Sequence, residues 1–227
     1  MRVAALIPAH DEAERITATV SAARSIDGVD RVLVIDDGSR DATGTLAIGA
    51  GAELITLPGN VGKGGALQAG LDAVADDVDI VLLLDADLGE SASEASHLLG
   101  PVVRGEADMT IAILPRPAGS GGFGLVKGLA RRGIAALGDG FEAQAPLSGQ
   151  RALNRAAWRA ATPFASGYGA EVALTVRALQ AGSRVLEVPV PMSHAATGKD
   201  LAGFAHRGRQ FVHVLGALRT LVFERRR

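Results

Sequence analysis

At 227 residues, with 48% hydrophobic and 21% charged side chains, the chain is long enough to fold as one α/β domain around a large core. A formal net charge of −2 removes the electrostatic basis for general nucleic-acid binding. The absence of cysteine excludes disulfides, thiolate metal sites and thiol nucleophiles, so a metal would be held by oxygen or imidazole.

The first apolar stretch, Val3–Ile7, reads as a strand stopped by Pro8 and then by Asp11 and Glu12. It is too short for a signal peptide, and no uncharged apolar run approaches the ~20 residues that span a bilayer, so a soluble, cytoplasmic protein is expected. Further strands are expected at Val32–Ile35, Glu53–Leu57, Ile80–Leu84 and Met109–Leu114. Between the first four lie helix-length stretches with apolar residues at three- and four-residue spacing: Ala13–Ser25, Ala42–Ala50 and Gly65–Ala75. This alternation predicts a mostly parallel sheet covered on both faces, with right-handed crossovers. Ligands of such sheets sit outside the carboxyl ends of the strands, where Pro8, Asp36, Pro58 and Asp85 fall.

Beyond Leu114 the pattern loosens into the Gly- and Pro-rich "LPRPAGSGGFG". Helices are expected near Leu125–Leu137, Ala152–Ala161 and Ala170–Ala181, then a strand in "RVLEVPV" and a last helix over about Gly203–Phe223. No linker, long charge run or repeat divides the chain. One domain over 1–227 is expected, with a nucleotide-binding half at 1–114 and an acceptor-side half at 115–227.

Two of the strands run straight into carboxylates: "RVLVIDDGSRDAT" delivers Asp36 and Asp37, and "DIVLLLDADLGE" delivers Asp85 and Asp87. Such acids can simply cap a following helix or sit in a solvated turn. They can also serve a divalent metal that holds a diphosphate, because Mg²⁺ and Mn²⁺ take oxygen ligands and bind through one or two carboxylates plus substrate phosphates. In that reading the first Asp orients the sugar of a nucleotide and the second touches the ion. Lys63, in a Gly-Lys-Gly-Gly turn opening a helix, is placed to meet a phosphate or base, although the spacing of a P-loop is missing. Glu171 starts a helix just after Gly167, Tyr168 and Gly169, a turn in which backbone can approach a ligand closely. His194 follows the extended, proline-stiffened "VPVPMS"; His10, His97, His206 and His213 read as packing or surface residues.

"VAALIPAHDEAERI", "VLVIDDGSRDAT", "GNVGKGGALQAGL" and "IVLLLDADL", in that order, resemble the opening of family 2-type glycosyltransferases with the GT-A fold. The resemblance implies a nucleoside-diphosphate (NDP) sugar donor, bound through Pro8, Ala9, Glu12, Asp36, Asp37, Lys63, Asp85 and Ala86. It also implies Mg²⁺ or Mn²⁺ at Asp87, which is expected to be catalytic together with Glu171 of the later motif "PFASGYGAEVALT". "PLSGQRAL", "PFASGYGAEVALT" and "VPVPMSHA" resemble glucosyl-3-phosphoglycerate synthases, retaining GT-A enzymes that transfer glucose to 3-phosphoglycerate. That second resemblance implies an acceptor region of Gly122, Phe123, Gly149, Tyr168 and Lys199, with His194 as a further metal ligand. Where that family carries a basic loop for the acceptor phosphate, this chain reads "GGFGLVK", with Phe123 and no arginine.

The acidic pair that inverting relatives place after the acceptor helix is replaced here by Gly-Tyr-Gly-Ala-Glu, so retention of anomeric configuration is expected. From Lys199 to Arg227 there are seven basic and two acidic residues, and Phe204, Phe211, Leu215, Leu218 and Val222 recur at helical spacing. Such a helix packs on its own domain or on a second copy in a homodimer, or lies on an anionic membrane and reaches a polyprenyl phosphate. The small anionic acceptor is the leading expectation and the polyprenyl phosphate the alternative. A sugar-phosphate nucleotidyltransferase would need an Arg-containing Gly-rich loop where this chain has "IPAHDEAERI", and a non-catalytic nucleotide-binding module would leave the series of donor motifs unexplained.

Overall fold

The computed structural model describes residues 1–115, 124–164, 169–193 and 214–223. Seven strands form one sheet: β1 (Val3–Ala9), β2 (Arg31–Asp36), β3 (Glu53–Thr56), β4 (Ile80–Leu83), β5 (Met109–Ile113), β6 (Arg151–Asn154) and β7 (Val185–Pro189), in the order β3-β2-β1-β4-β6-β5-β7. The helices are α1 (Ile16–Arg24), α2 (Thr43–Gly49), α3 (Gly62–Val74), α4 (Ser96–Val103), α5 (Gly124–Leu137), α6 (Arg155–Ala161), α7 (Ala170–Gln180) and α8 (214–223). β1 pairs in parallel with β2 and β4, β2 with β3, and β5 with β7; β6 alone runs antiparallel to both its neighbours. The expected GT-A-type, mostly parallel sheet flanked by helices is the architecture observed.

The period of two along each buried strand sorts side chains onto the two faces. From β1, Val3, Ala5 and Ile7 enter the core under α1 and α4, while Ala4 and Leu6 enter the core under α3, α6 and α7. A third cluster, outside the sheet, joins α5, α7 and α8 through Val126, Ile134, Val172, Val176, Val214 and Leu218. Its interlock is tight: a Cβ on Gly133 would lie 2.3 Å from Leu218.

Several elements differ from expectation, among them α1, which begins at Ile16 rather than Ala13. The helix expected over Ala152–Ala161 is a strand first: Arg151–Asn154 pairs with both β4 and β5, and only then does α6 begin. The Asn154 side chain accepts the Ala157 N–H at 2.9 Å and so caps that helix. An Ala-rich buried run carries no period that separates the two states; the cap was the available signal. α3 starts three residues earlier than expected, at Gly62, because the Asp37 carboxylate accepts the N–H groups of Val61 and Gly62 at 2.7 and 2.8 Å from another part of the chain. A 3₁₀ turn at Gly89–Ala95 and α4 fill the β4–β5 connection, in a small-residue stretch with Pro101 inside the helix. In α8 the packed face is Val214, Ala217, Leu218 and Leu221, whereas Leu215 and Val222, placed on the apolar face above, stand 50% and 36% exposed. The helix carries apolar residues on two sides, and the i, i+3, i+4, i+7 set won. The rest of the expected Gly203–Phe223 helix lies outside the described residues. No helix among the described residues is long and apolar enough to cross a membrane.

Candidate active site

The ends of β1, β2 and β4 and the starts of α3 and α7 enclose a cleft of about 840 Å³. Its walls bring together Pro8, Ala9, Glu12, Asp37, Lys63, Asp85, Ala86, Asp87 and Glu171, nine residues singled out from the sequence. β4 runs buried to Leu83, and the chain leaves the sheet as Asp85 reaches the rim. Both oxygens of Asp85 are engaged. Oδ1 is in close contact with the Lys63 ammonium, and Oδ2 accepts from Gln150 Nε2 at 2.7 Å.

Lys63, in the first turn of α3, also lies 3.3 Å from Glu171 Oε1, in the first turn of α7. One ammonium therefore spans the cleft between a carboxylate from the first half of the chain and one from the second. Desolvation pulls its pKa down, but the charges of Asp85 and Glu171 outweigh this and hold it above the usual lysine value. Glu12 shows the opposite pressure: burial first, then the charge of Asp87, with smaller contributions from Asp41 and Asp85, push its carboxyl above the ordinary range against Arg15. The cleft therefore carries an excess of negative charge around Glu12, Asp85 and Asp87.

Asp37, 4% exposed, lines the cleft while both of its carboxylate oxygens accept from the α3 start. Asp36 is not among the lining residues: its Oδ1 accepts the Ser39 N–H at 2.8 Å, and its Oδ2 faces Gly44, where a Cβ would come within 3.0 Å. Gly149 abuts the ion pair. A Cβ there would lie 2.3 Å from Lys63 Nζ and 3.1 and 3.2 Å from the Asp85 oxygens, so any larger residue would have to push the ammonium aside. Gly122, Phe123, Tyr168, His194 and Lys199 lie outside the described residues.

The structure adds residues that the sequence did not single out. His10, read as packing or surface, lines the cleft with Nδ1 2.9 Å from the Asp37 carbonyl oxygen. Gln150, fully buried, braces Asp85 from the acceptor side. It adjoins Gly149 in "PLSGQRAL", so the motif marked the place, but its reach follows from the antiparallel β6. Glu187 of β7 accepts from Gln144 N at 2.7 Å and Ala145 N at 2.7 Å, fixing the segment that supplies Ala145, Pro146 and Leu147 to the wall. Among the described residues no three His, Asp or Glu side chains converge as a complete metal cage.

Residues 4–140 match the model of glycosyl transferase family 2. The chain belongs to this family. It is 32% identical to the glycosyltransferase AglJ of Haloferax volcanii over 87% of its own length and 65% of that protein's. It is also 32% identical to glucosyl-3-phosphoglycerate synthase of Mycobacterium tuberculosis, over 77% of this chain and 60% of that one. The chain thus spans three fifths to two thirds of these two relatives. An undecaprenyl-phosphate mannosyltransferase of Micrococcus luteus is 28% identical, with 94% of this chain and 93% of that protein covered. In structure, the chain resembles the M. tuberculosis glucosyl-3-phosphoglycerate synthase solved with Mn²⁺, UDP and phosphoglyceric acid, at a TM-score of 0.77 and 28% identity, over 96% of this chain and 78% of that one. The same synthase has been solved with Mg²⁺ and UDP.

Proposed function

We propose that this glycosyl transferase family 2 chain moves a hexose, with glucose from UDP-glucose the leading candidate, from a nucleotide sugar to a small phosphorylated acceptor such as 3-phosphoglycerate, in the cytoplasm. The observation that carries this reading is the Lys63 ammonium joined to Asp85 and Glu171 across one cleft. Groups from the donor half and the acceptor half meet there at a single point, where a sugar in transfer has to lie. The family match and the relatives' recorded ligands, UDP, UDP-glucose, Mn²⁺ or Mg²⁺ and phosphoglyceric acid, support the choice.

The residues fit a divalent ion. The donor set at the β4 end is oxygen only, its charge excess is visible at Glu12, and Mg²⁺ and Mn²⁺ bind through one or two carboxylates completed by substrate phosphates and water. Asp87 holds the ion in this reading, with His194 as a further ligand, because both Asp85 oxygens already serve Lys63 and Gln150. The bound ion supplies charge neutralisation for the departing diphosphate. Asp85, fixed from two sides, orients the sugar. Lys63, kept protonated by its two carboxylates, meets phosphate oxygen. Pro8, Ala9, Glu12 and Asp37 form the nucleotide wall, with Asp36 supporting the turn behind it through Ser39. Gly149 and Glu171 are assigned to the acceptor, as are Gly122, Phe123, Tyr168 and Lys199, which lie outside the described residues. The transfer is read as retaining, and NMR of the product's anomeric proton decides that point.

A second reading has its own observation. The undecaprenyl-phosphate mannosyltransferase matches this chain nearly end to end, and α8 leaves Leu215 and Phe223 50% and 59% exposed beside a basic terminus. Both acceptors carry phosphate. The test offers the purified protein UDP-glucose or GDP-mannose with Mn²⁺, and either 3-phosphoglycerate or a short polyprenyl phosphate in detergent. Phosphoglycerate-dependent UDP release supports the first reading. Transfer to the lipid alone replaces it with the second.

A further inference from the structure

β6 places a second buried polar residue beside Gln150, one that the family reading leaves without a role. Arg151 is 1% exposed, and its side chain reaches two parts of the acceptor half. Nε donates to the Ser148 carbonyl at 2.9 Å, and Nη1 donates to Thr175 Oγ1 at 2.8 Å. The Thr175 hydroxyl in turn donates to the Glu171 carbonyl at 2.8 Å. The guanidinium thus ties the segment that contains Gly149 to the helix turn that presents Glu171 to Lys63.

This is a costly way to fill a core. Desolvation drives the Arg151 pKa down to about 10, opposed by the charges of Glu171 and Glu187. Nη2 is buried with no hydrogen-bond partner among the described residues. No carboxylate among those residues pairs with the guanidinium directly, so its desolvation is offset by hydrogen bonds to Ser148 and Thr175. Those same bonds define what the side chain holds in place.

We propose that Arg151 is a positioning residue for transfer: a buried strut that acts through Ser148 and Thr175 to set Gly149 and Glu171 against the Lys63–Asp85 pair, without touching substrate. The proposal rests on the transferase reading above. It separates from a purely structural role because the strut holds the acceptor half, while the nucleotide wall and Asp87 lie on other elements.

The test compares Thr175→Val, isosteric but without the hydroxyl, with Thr175→Ser, which retains it, and with Arg151→Lys, which retains charge but not the two-armed reach. Displacing a positioned group by a fraction of an ångström should cut kcat about tenfold in Thr175→Val and more in Arg151→Lys, while Thr175→Ser stays within about twofold of wild type. Affinity for UDP with Mn²⁺, measured by calorimetry, should fall clearly less than kcat in Thr175→Val and Arg151→Lys, because Lys63 is the one nucleotide contact the strut reaches while Pro8, Ala9, Glu12, Asp37 and Asp87 lie on other elements. If Arg151→Lys fails to fold, the Thr175 pair decides. Folded Thr175→Val with unchanged kcat, or with nucleotide affinity lost in step with kcat, overturns the proposal. If the wild type transfers no sugar at all, the transferase reading itself has failed and takes the strut with it, an outcome distinguishable from loss of the strut alone.

Discussion

The two sides of the cleft are held in different ways. In the first half of the chain, three acids at and just beyond the end of β2 are fixed by backbone N–H groups: Asp36 by Ser39, Asp37 by Val61 and Gly62, Asp41 by Ala13 and Thr43. In the second half, long side chains make the ties, most of them to positions far along the chain: Gln150 to Asp85, Arg151 to Ser148 and Thr175, Glu187 to Gln144 and Ala145. Backbone donors at strand ends come with the fold, whereas side-chain struts are replaceable one at a time. The first-half acids are accordingly the fixed platform.

The strongest way to break this comparison is at the platform. Asp87→Ala should lower transfer by more than about a hundredfold while the variant keeps its fold, since the side chain that would hold the charge-neutralising ion is removed. Chelation of divalent ions should abolish turnover in the wild type, and readdition of Mn²⁺ should restore it. Gly149→Ala comes next. Its methyl would stand 2.3 Å from Lys63 Nζ, so the ammonium must move away from Asp85, and kcat/KM should fall about tenfold, roughly 1.4 kcal/mol. Circular dichroism and steady-state kinetics check both variants.

A support on the acceptor half but away from the cleft should behave in the opposite sense. Asp108, 20% exposed, takes Arg184 Nε and Nη2 at 3.0 Å each and Asn154 Nδ2 at 2.9 Å, joining β5, β6 and β7. These donors, the Arg184 side chain above all, hold its carboxyl at about 2 against burial. Because the folded value lies below the unfolded one, the contribution is present above pH 3.8 and is lost as pH falls through about 2. Asp108→Ala should therefore cost roughly 2 kcal/mol at neutral pH in denaturant titration, with kcat per folded molecule unchanged.

The smallest expected effect is at Glu12. Its folded pKa is raised, so in the metal-free protein its contribution is full below the unfolded value of 4.5 and is lost as pH rises through the folded one. Wild type should lose stability relative to Glu12→Gln across that window, a difference of about 1–2 °C in melting temperature, read from paired melts between pH 4 and 7.

The same contrast explains what was legible in the sequence. The parallel core was, because Val3–Ile7, Val32–Ile35 and Ile80–Leu84 are apolar runs closed by acids and turns, and the chemistry of the donor wall sits within those motifs. Asp36 shows the limit: adjacency put it with Asp37, but strand alternation sends the two carboxylates to different places. β6 was not legible as a strand, since four residues before a capped helix carry too little period, and with it went Gln150 and Arg151. Their partners are 65 and 24 positions away, and no local pattern records such a contact. In α8 both sides are apolar, so spacing alone could not choose the face that packs on Gly133.

The most direct test of a metal-dependent donor platform is a calorimetric titration of UDP into wild type and Asp87→Ala, each with and without Mn²⁺. The account predicts that Mn²⁺ tightens UDP binding at least about tenfold in the wild type, an energy of roughly 1.4 kcal/mol, and that Asp87→Ala abolishes this gain. Equal UDP affinity with and without the ion in the wild type, or an undiminished metal effect in Asp87→Ala, would contradict it.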